Sequence, residues 1–337
     1  AGADYVIGLG HLGIDEQSSP WMSKEVIANT TGFDAFIDGH SHSTFSETIK
    51  DKSGKEVVFE QTGTKLANVG KLTIKTDGTI THENVDLSAV EEDADAKAYI
   101  AGITEKFDAL QKKVVAKTTV TLTTKGADGK RAVRSAETNL GDLCADAYRL
   151  LLGADVAFVN GGGVRADINA GDITYGDIIN VHPFGNSACL VEVTGQQLKD
   201  ALELGSAAYP GESGGFLQVS GLTYTINADI PSSVVKNDKS EFVKVDGAYR
   251  VSDIMVGGQP LDVNKTYTLA SHNYMLKDAG DGYTMFGTKN VKVLQDEVMI
   301  DNQVLINYIV EKLGGVVGEQ YAAPQGRITI KTAPVVE

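Results

Sequence analysis

Apolar and polar residues follow two periods along this chain. Tyr5-Val6-Ile7-Gly8-Leu9 and Asp34-Ala35-Phe36-Ile37-Asp38 are short apolar runs that predict strands. Between them, Ser23-Lys24-Glu25-Val26-Ile27-Ala28-Asn29 predicts a short helix that Gly32 ends. Residues 57–59, 65–69 and 71–74 predict further strands, and Asp77-Gly78 between Ile74 and Ile80 predicts a hairpin. Over residues 90–114 the period changes: Tyr99, Ile103, Phe107, Leu110 and Val114 recur every three or four positions and predict one long helix. Glu91, Glu92, Asp93 and Asp95 at its start and Lys112 and Lys113 at its end complement the helix dipole.

Beyond it, a strand is predicted over 118–122. A helix over 139–152 carries Leu140, Leu143, Cys144, Ala147 and Leu151 on one face and stops at Gly153. Asp155–Val159 predicts a buried strand, and Thr194-Gly195-Gln196-Gln197 is a capping box opening a helix to about Gly205. Asp301 is expected to cap a last helix with Val304, Leu305, Tyr308, Ile309 and Leu313 on one face. Strands are predicted at 189–193, 219–226, 248–256, 266–271, 291–294 and 327–331. The mixture of helices, strands and hairpins predicts an α+β class rather than a strict βαβ repeat.

Composition narrows the function classes. With 337 residues the chain can bury two sizeable cores. A net charge of −15 is the wrong sign for a duplex-DNA binder, so no nucleic-acid polymer is expected as a partner. No apolar run approaches the ~20 residues of a transmembrane helix, so no transmembrane segment is expected. Cys144 and Cys189 fall inside apolar patterns and read as buried free thiols. Ala1-Gly2-Ala3 begins without Met or a signal peptide and resembles the inside of a domain, so a processed or excised fragment is expected.

The chemistry concentrates in two places. Gly10-His11-Leu12-Gly13 and Gly39-His40-Ser41-His42 each follow a predicted strand, so His11, His40 and His42 converge as candidate metal ligands, with Asp38 and Asp15 as nearby partners for the second ring nitrogens. Further on, Asn160-Gly161-Gly162-Gly163-Val164-Arg165 follows a buried strand. The glycines read either as a flexible turn or as a place where a ligand approaches the backbone, with Asn and Arg as directed donors. Phe184 and Tyr274 are loop aromatics beside Gly and Asn, able to stack on a base or simply to pack. Asp281 in Gly280-Asp281-Gly282 reads as an Asx turn or an acceptor for ribose hydroxyls.

The two histidine motifs resemble the last two motifs of the calcineurin-like metallophosphoesterases. The family's earlier motifs, Asp-x-His, Gly-Asp and Asn-His-Glu or Asn-His-Asp, do not precede His11 here. Arg134 to Gly141, Val159 to Arg165, Pro183-Phe184-Gly185-Asn186, Asn273-Tyr274 and Gly280-Asp281-Gly282-Tyr283 resemble, in order and spacing, the C-terminal domain of the 5′-nucleotidase family. That family includes bacterial UDP-sugar hydrolases and 2′,3′-cyclic-nucleotide phosphodiesterases.

The resemblance implies the C-terminal part of a four-layer α/β/β/α metallophosphatase domain over 1–88 and a linker helix over 89–116. An α+β substrate-binding domain over 117–331 and a tail over 332–337 follow. It implies hydrolysis of nucleotides to nucleoside and phosphate with two divalent metal ions, Zn, Mn or similar. His11 and His40 would lie on one metal and His42 on the other, and the catalytic histidine would lie in an upstream segment that is itself a candidate partner as a separate chain. Phe184 and Tyr274 become a base sandwich and Asp281 the ribose acceptor. Arg134 and Arg165 face the nucleotide, Lys130 stands for another arginine, Asn160 and Asn186 contact the base or position loops, and Gly214 offers backbone contacts. It also implies rotation of one domain against the other and an extracellular, cell-wall-attached or periplasmic location. The alternative is a non-catalytic nucleotide-binding or surface interaction module on the same fold.

Overall fold

The computed structural model describes residues 2–14 and 19–332, which form two compact units, Ala1–Ala101 and Gly102–Glu337. Asp15 and the tail from residue 333 lie outside the described residues. In the first unit, strands Ile7–Leu9, Ala35–Ile37 and Glu56–Thr62 pair in parallel, and Thr44–Lys50 closes the sheet antiparallel to Glu56–Thr62. Helix Ser23–Asn29 packs Ile27 against Phe36, Val57 and Phe59. Asn68–Ile74 and Ile80–Asp86 form the hairpin predicted at Asp77-Gly78, with Gly78 at φ 84° where a side chain is disfavoured. Residues 65–67 are not strand; Lys65 and Leu66 take positive φ in a turn.

The long helix spans Ala94–Gln111 rather than 90–114. Val114 keeps the helical spacing, yet Val114–Thr118 is a strand between Val316–Val317 and Gly171–Thr174, so the expected strand at 118–122 begins four residues early. Two adjacent valines prefer a pleated, paired backbone, and long-range pairing outweighs the local period.

The second unit is built on a five-stranded sheet in the order Leu217–Ser220, Val156–Asn160, Thr266–His272, Ala188–Thr194, Lys292–Gln295. Successive residues of Val156–Asn160 serve two cores. Ala157 and Val159 pack with Leu140, Leu143 and Cys144 of helix Asn139–Leu152, while Val156 and Phe158 pack with Leu198, Ala201 and Leu202 of helix Gly195–Ser206. A strand buried on both faces explains its unbroken apolar run. Both helices start as their sequences predict: Thr138 accepts from the Gly141 amide, and Thr194 with Gln197 completes a capping box. Cys144 and Cys189 are free and buried.

Helix Asp301–Asn307 departs from expectation. Ile300 holds the cap position, and Asp301 sits inside the first turn with its carboxylate turned to the Asn186 amide (3.1 Å) and the Asn302 amide (2.8 Å). A short acidic side chain at a helix start can cap its own turn or reach a neighbouring loop, and here the loop takes it.

Helix Asn139–Leu152 also buries Asp142 and Asp146 toward the C-terminal segment, where Arg327 meets Asp146 at 2.7 Å and Asp142 at 3.6 Å. Burial pushes the Asp142 carboxyl up to about 8 despite Arg327, helped by the neighbouring Glu137 carboxylate. A folded value above the unfolded 3.8 means that the folded state holds the proton more tightly. The stability from Asp142 is therefore complete below the unfolded value and is lost as pH rises through about 8. The urea midpoint is expected to fall over this range, and Asp142→Asn to flatten the fall; an unchanged pH slope in that variant would contradict the assignment.

Candidate functional site

The parallel strands Val156–Asn160 and Thr266–His272 end side by side, and the loops leaving their C-terminal ends, with the loops that carry Arg134, Phe184 and Gly214, enclose a cavity of about 360 Å³. Crevices at such strand ends are where open sheets usually bind small ligands. Arg134, Asn160, Gly162, Gly163, Phe184, Asn186, Gly214, Tyr274 and Asp281 line it. Seven of the nine substrate-binding residues expected from sequence, Arg134, Asn160, Phe184, Asn186, Gly214, Tyr274 and Asp281, are among them.

Arg165 lies just outside, its guanidinium 5.7 Å from the Phe184 ring centroid, a cation–π contact. Lys130 also lies outside the lining. It sits on an exposed turn, 3.9 Å from Asp128. Its backbone is spent closing the turn with Gly126, which carries the ammonium into solvent.

The glycines serve the protein first. A Cβ on Gly161 would lie 2.1 Å from the Val133 carbonyl oxygen, and one on Gly162 would lie 3.0 Å from the Gly214 carbonyl oxygen. The Gly161 amide donates to Phe216 and the Gly162 amide to Gly214, both at 2.7 Å. Neither reading open at the sequence level, a flexible turn or close approach by a ligand, covers this: the glycines let three loops close on one another, and Gly162 and Gly163 then form the cavity floor.

The aromatics are held differently. Phe184 is 60% exposed, and Tyr274 is 39% exposed with one face backed by Gly280, whose Cβ would fall 2.4 Å from ring atoms. The Tyr274 hydroxyl donates to Asp281 Oδ1 (3.0 Å) and accepts from the Asp281 amide (3.1 Å). Asp281 stands at φ 54°, in the left-handed region, and its Oδ2 accepts from Asn160 Nδ2 at 2.7 Å. Asn160 Oδ1 is in turn 3.0 Å from His272 Nε2. On the far side, Asn186 and Ser187 are tied to Asp301 and Asn273 by reciprocal bonds of 2.8–3.1 Å, and burial pushes the Asp301 carboxyl up to about 6. Burial and the neighbouring guanidinia of Arg131 and Arg165 hold Arg134 below its ordinary value. Arg131 is already paired with Glu212, so Arg134 is the guanidinium that the cavity lining offers to an anion.

His182 and His272 were not anticipated. Both are buried, with His182 Nδ1 3.2 Å from the Gly163 carbonyl. A signal was present: each histidine stands two residues ahead of a cavity aromatic, in His182-Pro183-Phe184 and His272-Asn273-Tyr274.

In the first unit, the His11 and His40 rings meet edge to face with centroids 5.2 Å apart. Gly39 and Gly13 make room, since a Cβ on either would come within 3.0 Å of His11 Nδ1 or 2.9 Å of His40 Cδ2. His40 and His42 take positive φ of 77° and 55°, backbone that costs a non-glycine residue about 1 kcal/mol or more. Asp38 is not bonded to a ring nitrogen as expected. It accepts from the Leu12 amide (2.8 Å), the Gly13 amide (3.0 Å), Ser23 Oγ and Gln61 Nε2 (2.9 Å), and so braces the His11 loop. Burial opposes its charge, but these bonds outweigh burial and hold its carboxyl below the ordinary range. Two adjacent imidazoles in a glycine-cleared recess fit part of a divalent-metal shell. Among the described residues, no group of three or more His, Cys, Asp or Glu side chains is arranged to hold a metal ion.

The model of the 5′-nucleotidase C-terminal domain matches residues 114–288. The trifunctional nucleotide phosphoesterase protein YfkN of Bacillus subtilis is 31% identical over 306 residues, which is 83% of this chain and 19% of that protein. Protein UshA of Yersinia enterocolitica is 36% identical over 205 residues, 60% of this chain and 32% of that protein. The crystal structure of the 5′-nucleotidase precursor from Thermus thermophilus superposes with a TM-score of 0.57 at 27% identity, covering 99% of this chain and 65% of that one. The chain thus spans a fifth to a third of these curated relatives and under two thirds of the solved structure.

Proposed function

Because this chain belongs to the 5′-nucleotidase family through that family's C-terminal domain, we propose that its cavity is the nucleoside site of a metal-dependent phosphoric ester hydrolase acting on nucleotides. One observation supports this most: two partly exposed aromatics, a carboxylate and a guanidinium share one hollow of about 360 Å³. In this reading the base stacks between Phe184 and Tyr274, worth about 1–3 kcal/mol per contact. Asp281 accepts the ribose hydroxyls, Asn160 and Asn186 orient the walls, Gly214 offers its backbone, and Arg134 with Arg165 faces the anionic end of the nucleotide. Lys130, on an exposed turn outside the lining, would reach the anionic end only through its long side chain.

Divalent metal ions, when bound, supply an activated water and neutralise developing charge on the phosphate. His11, His40 and His42 are this chain's candidate donors, and the Asp38 brace keeps the His11 loop in place for them. Three imidazoles are fewer donors than a two-metal centre needs. Residues 1–337 alone are therefore expected to bind nucleosides while hydrolysing AMP slowly, and robust metal-dependent hydrolysis by this stretch would contradict that division of labour. An extracellular, cell-wall-attached or periplasmic location belongs to the same proposal; among the described residues no helix is long and apolar enough to cross a membrane.

Calorimetric titration tests the reading. Adenosine and AMP should bind residues 1–337, and ribose 5-phosphate, which lacks a base, should bind far more weakly. Equal affinity for all three would contradict a base-stacking site.

A further inference from the structure

His272 ends the strand Thr266–His272 beneath the cavity floor and is 3% exposed. Burial, with a smaller contribution from nearby His182, pushes its imidazole down to about 3, so it is neutral at physiological pH. A neutral imidazole has one donor and one acceptor nitrogen, and its neighbours decide which is which.

Those neighbours form a chain of assigned polarity. An ionised carboxylate is acceptor-only, so Asp281 Oδ2 requires the amide nitrogen of Asn160 and not its oxygen at 2.7 Å. The amide oxygen then points inward, 3.0 Å from His272 Nε2, and needs a hydrogen there. His272 must therefore carry its proton on Nε2. Its Nδ1 is left bare, buried and without a partner among the described residues. Asp281 Oδ1 is meanwhile held by the Tyr274 hydroxyl at 3.0 Å. The carboxylate is thus fixed from two sides, each oxygen retains capacity for a further hydrogen bond, and Asp281 lines the cavity. The left-handed backbone at Ala279 and Asp281 presents it there.

We propose that His272 is a positioning residue which, through Asn160, holds Asp281 as an acceptor for the vicinal hydroxyls of ribose and so sets a preference for ribonucleosides over 2′,3′-dideoxynucleosides. This rests on the nucleoside reading of the cavity. His272 touches neither base nor sugar; it acts by denying Asn160 any other orientation. Without a donor at position 272, the buried amide oxygen of Asn160 is orphaned, which is costly. Asn160 then turns to reach water in the cavity, and Asp281 loses its inner partner.

The test compares adenosine with 2′,3′-dideoxyadenosine by calorimetry on wild-type protein, His272→Leu and His272→Gln. Wild type should prefer adenosine by about tenfold or more, and His272→Leu should lose most of that preference by weakening adenosine alone. His272→Gln, whose amide can donate at a similar reach, should keep it. A preference preserved in His272→Leu, or equal weakening of both ligands, would overturn the proposal and leave the nucleoside site standing. Failure of wild type to bind either nucleoside would sink the nucleoside reading, and this proposal with it. A second measurement does not depend on the variants folding. Nitrogen-15 NMR of the His272 ring in wild-type protein should show a protonated Nε2 and a bare Nδ1 from about pH 5 to about pH 9. A proton on Nδ1 would overturn the assignment.

Discussion

Phe184→Ala is expected to weaken adenosine binding by about 10- to 100-fold, the equivalent of one lost base-stacking contact of about 1–3 kcal/mol. The melting temperature should not move. Phe184 is 60% exposed, belongs to none of the three core clusters, and its ring contact among the described residues is the Arg165 guanidinium. Its removal opens no cavity in the core, so the usual cost of a large-to-small change does not apply. An apolar ring left this exposed at a cavity mouth costs little to lose from the fold and much to lose from a binding site. Unchanged affinity at an unchanged melting temperature would count against the base sandwich, whatever the fold.

Gly161→Ala is expected to do the opposite, costing stability first. The added methyl would lie 2.1 Å from the Val133 carbonyl oxygen, 2.9 Å from its carbon and 3.2 Å from the Arg134 Cα. All three are backbone atoms, so no side chain can rotate aside. The Val133 oxygen is further held by Gln218 Nε2 at 3.0 Å, and the Gly161 amide by Phe216 at 2.7 Å. Relief requires moving the loop that carries Arg134 away from the loop that carries Asn160. Overpacking of this kind costs about 1–3 kcal/mol and sometimes more. Urea unfolding should show a lower midpoint, and adenosine affinity should fall with it because two cavity walls separate. Wild-type stability in Gly161→Ala would mean that these loops do not pack as described.

Much of the second unit is legible in the sequence because local signals and long-range packing agree there. Helix Asn139–Leu152 has a Thr cap, one apolar face and Gly153 in the left-handed conformation, and each signal alone marks the same ends. Thr194 and Gln197 announce the next helix in the same way. Where local and distant terms compete, the reading fails. Val114 continues the helical stripe of Tyr99 to Leu110, but pairing with Val316–Val317 and Gly171–Thr174 makes it strand. Thr44–Lys50 carries no clear alternation, since its charged residues face solvent, and it exists because Glu56–Thr62 lies beside it. Asp301 has the chemistry of a cap and is instead drawn to a loop 115 residues away.

The candidate site divides along the same line. Its aromatics and its carboxylate are visible because each stands in an unusual local setting: Phe184 beside Gly185, Tyr274 after Asn273, Asp281 between glycines. What joins them is not visible. The bonds from Asn160 to Asp281 and to His272 span 121 and 112 residues, and only the parallel pairing of the two strand ends brings them together. The roles of the glycines are hidden for the same reason. Nothing near Gly161 in the sequence says that Val133 will press against it.

The central claim is that a nucleoside occupies the cavity at the ends of these strands. A crystal structure of residues 1–337 soaked with adenosine tests it most directly. The account predicts the purine between Phe184 and Tyr274 with the ribose hydroxyls on the Asp281 carboxylate. A purine bound elsewhere, or bound in the cavity with its ribose turned away from Asp281, would contradict it.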